Sequence, residues 1–156
     1  NWPRVTNLEA AIYGVNTWWS KVGSQAIDRS GLIVEKNFQR YRHYLAPIVV
    51  VVDESTTQAE KSLIHYICEK TGAKTIFTTD LRDVNEKFAR VRWLASSKPP
   101  VLEMLQQGIS VDHRPVAQRG DIEAARWLIE QSVAITYHRY GNPNGGPKPS
   151  CSGLSA

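Results

Sequence analysis

The chain has 156 residues and a mass of 17.5 kDa, enough for one domain with its own core. At 42% hydrophobic and 22% charged residues it has the composition of an ordinary globular domain, which excludes a disordered or fibrous class. A net charge of +4 is too mild and too dispersed for a dedicated nucleic-acid binder, and two cysteines, Cys68 and Cys151, are too few for a disulfide scaffold.

The cysteine usage suits a reducing cytoplasm, the localisation expected here. The longest apolar stretch, Leu45 to Val52, is strand-sized, so no segment is predicted to span a membrane. No basic segment followed by an apolar one opens the chain, as a signal peptide would.

In chain order, Asn7 to Lys21 predicts a helix. Its Leu8, Ala11, Ile12, Val15, Trp18 and Trp19 recur at three and four residues. Asp28-Arg29-Ser30-Gly31 is a turn signal. Glu35 to Arg42 is aromatic and basic and reads as extended, so residues 1–45 are expected to form an N-terminal helix and extended connector. The β-branched run Ile48-Val49-Val50-Val51-Val52 predicts a strand buried on both faces. A helix from about Thr57 to Thr71 follows, with Leu63, Ile64, Ile67 and Cys68 on its apolar face and Gly72 to stop it.

The alternation continues with a strand at Lys74–Thr78, a short helix at Leu81–Ala89 and a strand at Val91–Leu94. Next come a helix at Pro99–Gln107 closed by Gly108, a strand at Ile109–Val111, a helix at Asp121–Gln131 and a fifth strand at Val133–Arg139. Strands that alternate with helices predict an α/β domain over residues 46–142: an open, parallel, five-stranded, doubly wound Rossmann-like sheet. Residues 143–156, rich in Asn, Pro, Gly and Ser, predict a flexible tail.

Such a fold invites a nucleotide, but the turn after the first parallel strand reads Asp53-Glu54-Ser55-Thr56-Thr57. It has no phosphate-cradling glycine and two carboxylates that would repel a phosphate. Helix capping by Ser55 or Thr56 is the expected role of its hydroxyls. A phospho-receiver reading fails, because Ala95-Ser96-Ser97 and Tyr140-Gly141 stand where an acceptor aspartate and a lysine are needed. Cys68 is expected as a buried inert thiol, since no charge in view would depress its pKa. His43, His65, His113 and His138 show no metal spacing. Lys36 to His43 suits RNA stacking or a protein partner; Tyr and Arg are favoured protein-interface anchors, and the weak net charge favours the partner. The final strand crowds Tyr137, His138, Arg139 and Tyr140 together, more amphipathic surface than a solvated strand needs, and so predicts docking against another surface.

Glu130-Gln131-Ser132 followed by Tyr137-His138-Arg139-Tyr140-Gly141-Asn142 resembles the closing segment of the proline utilisation A family. These bifunctional enzymes join a proline dehydrogenase to a 1-pyrroline-5-carboxylate (L-glutamate γ-semialdehyde) dehydrogenase. Trp18-Trp19, Asp28 to Leu32 and Glu35 to Arg42 are similar to the connector that follows their aldehyde dehydrogenase module, so the resemblance covers most of residues 18–142. It implies an aldehyde-dehydrogenase-superfamily-like domain without a nucleophilic cysteine loop or a working NAD site. It further implies a C-terminal accessory domain that acts as a lid and scaffold over the internal cavity through which the intermediate passes. Tyr137, His138, Arg139, Tyr140, Gly141 and Asn142 would form the domain interface. The implied partner is the aldehyde dehydrogenase module of the same polypeptide, with a homo-oligomer also open. The resemblance implies no cofactor on this chain, and NAD, with FAD for a proline dehydrogenase module, on the parent oxidoreductase. The competing reading is an independent nucleotide or small-molecule binding module.

Overall fold

The structure is a computed structural model that describes residues 2–32, 35–136, 138–139 and 142–143, the last two pairs by backbone alone. Its centre is a four-stranded parallel sheet. Strand β3 (Ile48–Val51) lies between β4 (Thr75–Thr78) and β5 (Arg90–Trp93), and β6 (Ser110–Asp112) pairs with β5 at one edge. The chain leaves β3 for β4 on one side and then returns to build β5 and β6 on the other. The order therefore reverses beside β3, the doubly wound pattern.

Every residue of β3 is buried, as its β-branched run predicts. Alternation divides them between two cores. Ile48 and Val50 join Leu63, Ile64 and Ile67 of helix α2 (Gln58–Thr71) with Ala11 and Val15 of helix α1 (Leu8–Trp18). Val49 and Val51 face the other way, with Val91 and with Met104 of helix α3 (Val101–Gln106). Burying one such aliphatic side chain stabilises by roughly 1.5–3 kcal/mol, so this strand anchors both layers.

Local signals fix the ends of α2. Thr57 accepts the Glu60 backbone N–H while Glu60 accepts from the Thr57 N–H, a capping box. Gly72 closes the helix at φ 76°, in the left-handed region that glycine enters without a Cβ clash. The cap is Thr57 rather than Ser55 or Thr56. The segment Leu81–Ala89 forms only a 3₁₀ turn at Leu81–Asp83, because Asp80 draws the Arg82 backbone and side-chain N–H groups into a local loop. Leu81, Val84 and Phe88 still reach the second core.

The fifth strand does not join the parallel sheet. Helix α4 stops at Gly120–Ala125, and strand β7 (Leu128–Thr136) begins where the sequence suggests the helix continues. From Ile129 onward β7 alternates between partly buried and exposed residues, the period of a strand with one covered face. It pairs antiparallel with β2 (Glu35–His43) through nine consecutive partners, from Glu35↔Thr136 to His43↔Leu128. A short strand β1 (Ile27–Asp28) pairs with β2 at Gln39 and Phe38. Nine ladder positions on β2 outbid the three that β6 offers, which explains the choice of partner.

The N-terminal segment packs on the same body. Val5 is buried, Arg4 bridges to Ala117, and α1 lies against α2 and α4. At the α1–α4 contact a Cβ on Gly120 would sit 1.9 Å from the Ala11 carbonyl oxygen, so only glycine permits this approach. Trp18 meets Tyr41 of β2 edge-on, 5.0 Å between ring centroids, and so ties the end of α1 to the ribbon.

Candidate functional site

In an open α/β sheet the ligand crevice lies beyond the carboxyl ends of the strands, where the strand order reverses. Here that point is between β3 and β5, and the turn Asp53–Thr57 lies at it. The Asp53 carboxylate accepts from the backbone N–H and hydroxyl of Ser55, at 2.9 and 2.5 Å. It also accepts from the backbone N–H and hydroxyl of Ser96 on the loop after β5, both at 2.6 Å. The Ser55 and Ser96 hydroxyls hold the Asp53 carboxyl well below the usual carboxylate range. The backbone N–H groups of Ser55 and Ser96 at this point are therefore already taken by a carboxylate of the protein.

The N-terminus of α2 is engaged in the same way. Glu60, nearly fully buried, accepts from the Thr57 backbone and takes a bidentate contact from Arg4 at 2.7 and 2.5 Å. Burial would raise the Glu60 pKa, but the Arg4 guanidinium and the Thr57 N–H outweigh it and hold the carboxyl below its ordinary value. Arg4 also donates to the Ser55 carbonyl. Arg4, Glu60, Ser96 and Arg114 line a crevice of about 330 Å³, in which Arg4 is paired with Glu60 while Arg114 is paired with Asp112 behind the lining.

A buried ionic network holds α4 and the start of β7 against the sheet. Arg92 of β5 donates to Glu123 of α4 at 2.8 Å and lies 3.3 Å from Asp112 of β6. Glu123 also accepts from Arg126, from the Trp127 indole and from the Ala117 backbone. Arg114 and Arg90 complete the shell of Asp112. Burial pushes the Asp112 carboxyl upward, but the Arg114 hydrogen bonds and the Arg92 charge win and depress it. Four guanidinium groups surround two carboxylates, and the surplus charge is met by the carbonyls of Arg114, Pro115 and Arg126. Arg92, Asp112 and Glu123 at the centre of this network are buried, with Arg114 reaching the surface, so its role is mechanical.

Strand β7 is the outer strand of the ribbon: among the described residues no strand pairs with its second edge. Its sequence, Leu-Ile-Glu-Gln-Ser-Val-Ala-Ile-Thr, carries neither proline nor lysine, the usual guards of an exposed edge. Of the six residues named at the C-terminal end, the structure places three. His138 and Arg139 form a short strand β8 that pairs antiparallel with β9 (Asn142–Pro143), in register His138↔Pro143 and Arg139↔Asn142. Tyr137, Tyr140 and Gly141 lie outside the described residues.

Lys36 to His43 lies in the middle strand of the ribbon, paired along one edge by β7 and on the other by β1 at Phe38 and Gln39. Cys68 is buried on α2, and burial pushes its thiol up to about 11. His43 lies at hydrogen-bond distance from the Tyr44 carbonyl and His65 stacks on Phe77. Among the described residues no group of three or more His, Cys, Asp or Glu could hold a metal ion, and no helix is long and apolar enough to cross a membrane.

No protein-family model and no curated protein matches the chain. Among solved structures it is similar to Proline Utilization A (PutA) from Corynebacterium freiburgense, with a TM-score of 0.69 and 25% identity over 87% of this chain. The match spans 14% of that longer chain. The domain is thus related to one region of a multidomain polypeptide of proline utilisation, and the similarity runs through most of the fold described above.

Proposed function

We propose that this domain is the noncatalytic C-terminal accessory domain of a 1-pyrroline-5-carboxylate (L-glutamate γ-semialdehyde) dehydrogenase acting in proline catabolism to glutamate. It works as a lid and scaffold over the cavity that passes the intermediate between active sites. The observation that carries the reading is the similarity over 87% of the chain to a region of a proline-utilisation enzyme. Two features of the site support it. Backbone N–H groups that could receive a dinucleotide's phosphates at the switch point, those of Ser55, Ser96 and Thr57, are taken by the protein's own Asp53 and Glu60. The unpaired edge of β7 offers backbone hydrogen bonds to a neighbour, and the short β8–β9 pair lies beyond it in the chain.

In this account the partner is the aldehyde dehydrogenase module of the same polypeptide, and NAD, with FAD where a proline dehydrogenase module is present, binds the catalytic modules. Tyr137, His138, Arg139, Tyr140, Gly141 and Asn142 form the contact that closes the cavity. Closure keeps a reactive semialdehyde from escaping before it is oxidised and keeps bulk water from its path.

The test is a coupled assay on the full-length parent enzyme. Truncation after Arg139 together with Arg139→Ala is expected to introduce a lag in NADH formation from proline while each half-reaction keeps its rate. An unchanged approach to steady state would remove the proposal.

A further inference from the structure

We propose a second, independent site: a cavity between α3 and the loop after β4 that takes a small organic ammonium ion with an apolar body. The cavity has a volume of about 510 Å³, within the range of small-molecule sites. Its walls come from loops at the carboxyl ends of the strands, Thr79 and Asp80 after β4 and Ser97 after β5, the general location of ligand sites in such sheets. The Asp53 turn does not line it.

Its apolar lining is Leu81, Phe88, Trp93 and the buried Met104. The Trp93 indole N–H donates to the Ser97 carbonyl at 2.8 Å, which fixes the ring and uses its one donor. What remains of the indole is apolar, polarisable surface, the kind that attracts a cation.

The charges around this lining are unequal. Asp80 is satisfied by Arg82, through the backbone N–H at 2.9 Å and through Nε at 3.1 and 3.0 Å, so that pair is neutral as a unit. Glu103 of α3 and Gln107, which caps the C-terminus of that helix, both line the cavity and are exposed, and neither side chain makes a hydrogen bond or ion pair with a described residue. The cavity thus combines two aromatic rings, a thioether and, at its exposed side, one carboxylate without a partner among the described residues. A neutral apolar ligand would leave that carboxylate unused, and an anion would meet it. A primary or secondary ammonium satisfies it by a charge-assisted hydrogen bond, offers a further N–H to the Gln107 carbonyl and lays its apolar part on Trp93 and Phe88.

The experiment follows the ¹⁵N-labelled chain by NMR during titration with phenethylammonium at neutral pH, with the uncharged 2-phenylethanol as control. Saturable shifts are expected at the Trp93 indole N–H and the backbone amides of Leu81, Phe88, Glu103 and Gln107. The alcohol and the Glu103→Gln variant should each weaken binding by roughly two- to fivefold, the worth of a solvent-exposed ion pair. Dispersion of the E103Q spectrum reports that the fold is kept. No saturable shift at about 10 mM ammonium would overturn the proposal, a concentration that would reveal even millimolar affinity. Equal affinity for the alcohol, or for E103Q, would also overturn it, because the carboxylate would then play no part.

Discussion

Arg92 of β5 and Glu123 of α4 meet at 2.8 Å with both side chains buried, and this contact joins the parallel sheet to the helix that launches β7. Removing one member leaves the other charged and enclosed, which costs far more than the pair is worth in water. Glu123→Gln is therefore expected to lower unfolding stability by about 3–5 kcal/mol, read by urea denaturation at neutral pH. A loss below about 1 kcal/mol, the worth of a surface ion pair, would contradict the network's structural role.

The α1–α4 contact depends on an absent side chain. A Cβ at Gly120 would lie 1.9 Å from the Ala11 carbonyl, whereas one at Gly14 would lie 3.3 Å from the Gly120 backbone nitrogen. Gly120→Ala should cost about 3 kcal/mol or more by overpacking, and Gly14→Ala distinctly less. Thermal melts of the two variants compare them directly.

Acid should unfold the domain through Asp112 and Glu60. Burial raises the pKa of each, but arginine contacts reverse the balance and leave both below their ordinary values in the fold. The folded state then binds fewer protons than the unfolded chain, so these groups add stability above about pH 4, and that stability is lost as pH falls further. A stability–pH curve should decline below about pH 4, and Asp112→Asn should flatten the decline while lowering the plateau at neutral pH.

The Cys68 thiol, pushed up to about 11 by burial, is expected to resist thiol reagents at pH 8 in the folded protein and to react promptly in denaturant. A Cys151→Ser variant isolates this signal, since Cys151 is the chain's other cysteine. Rapid labelling of the folded variant would show that α2 opens readily.

The legible part of the fold is the part whose signals are local. The valine run of β3, the α2 boundaries with Gly72 at their end and the Gly108 that follows α3 all carry their reason within a few residues. The fate of Leu128–Thr136 does not, because its decisive partner stands far away in the chain. Arg40 and Gln131, cross-strand neighbours joined at 2.8 Å, are separated by 91 positions. The helix-forming Leu128, Glu130 and Gln131 also extend the helical pattern past the point where Trp127 turns into the core. The turn at Asp53 is readable as hostile to phosphate, but its partner Ser96 lies on another loop, so that Asp53 takes up the Ser96 N–H emerges only from the fold. Likewise, Arg90 and Arg92 alternate with Val91 and Trp93 on β5, a period-two hint of a polar inner face, yet nothing in the sequence names Asp112 and Glu123 as their counter-charges.

The account rests on docking through the β7 edge in place of dinucleotide binding at the Asp53 turn, and amide hydrogen exchange reads both at once. Adding the separately produced catalytic module of the parent enzyme should slow exchange across Leu128–Thr136, while NAD alone leaves Asp53–Thr57 unchanged. Protection of Asp53–Thr57 by NAD, with β7 exchanging as before when the module is present, would contradict it.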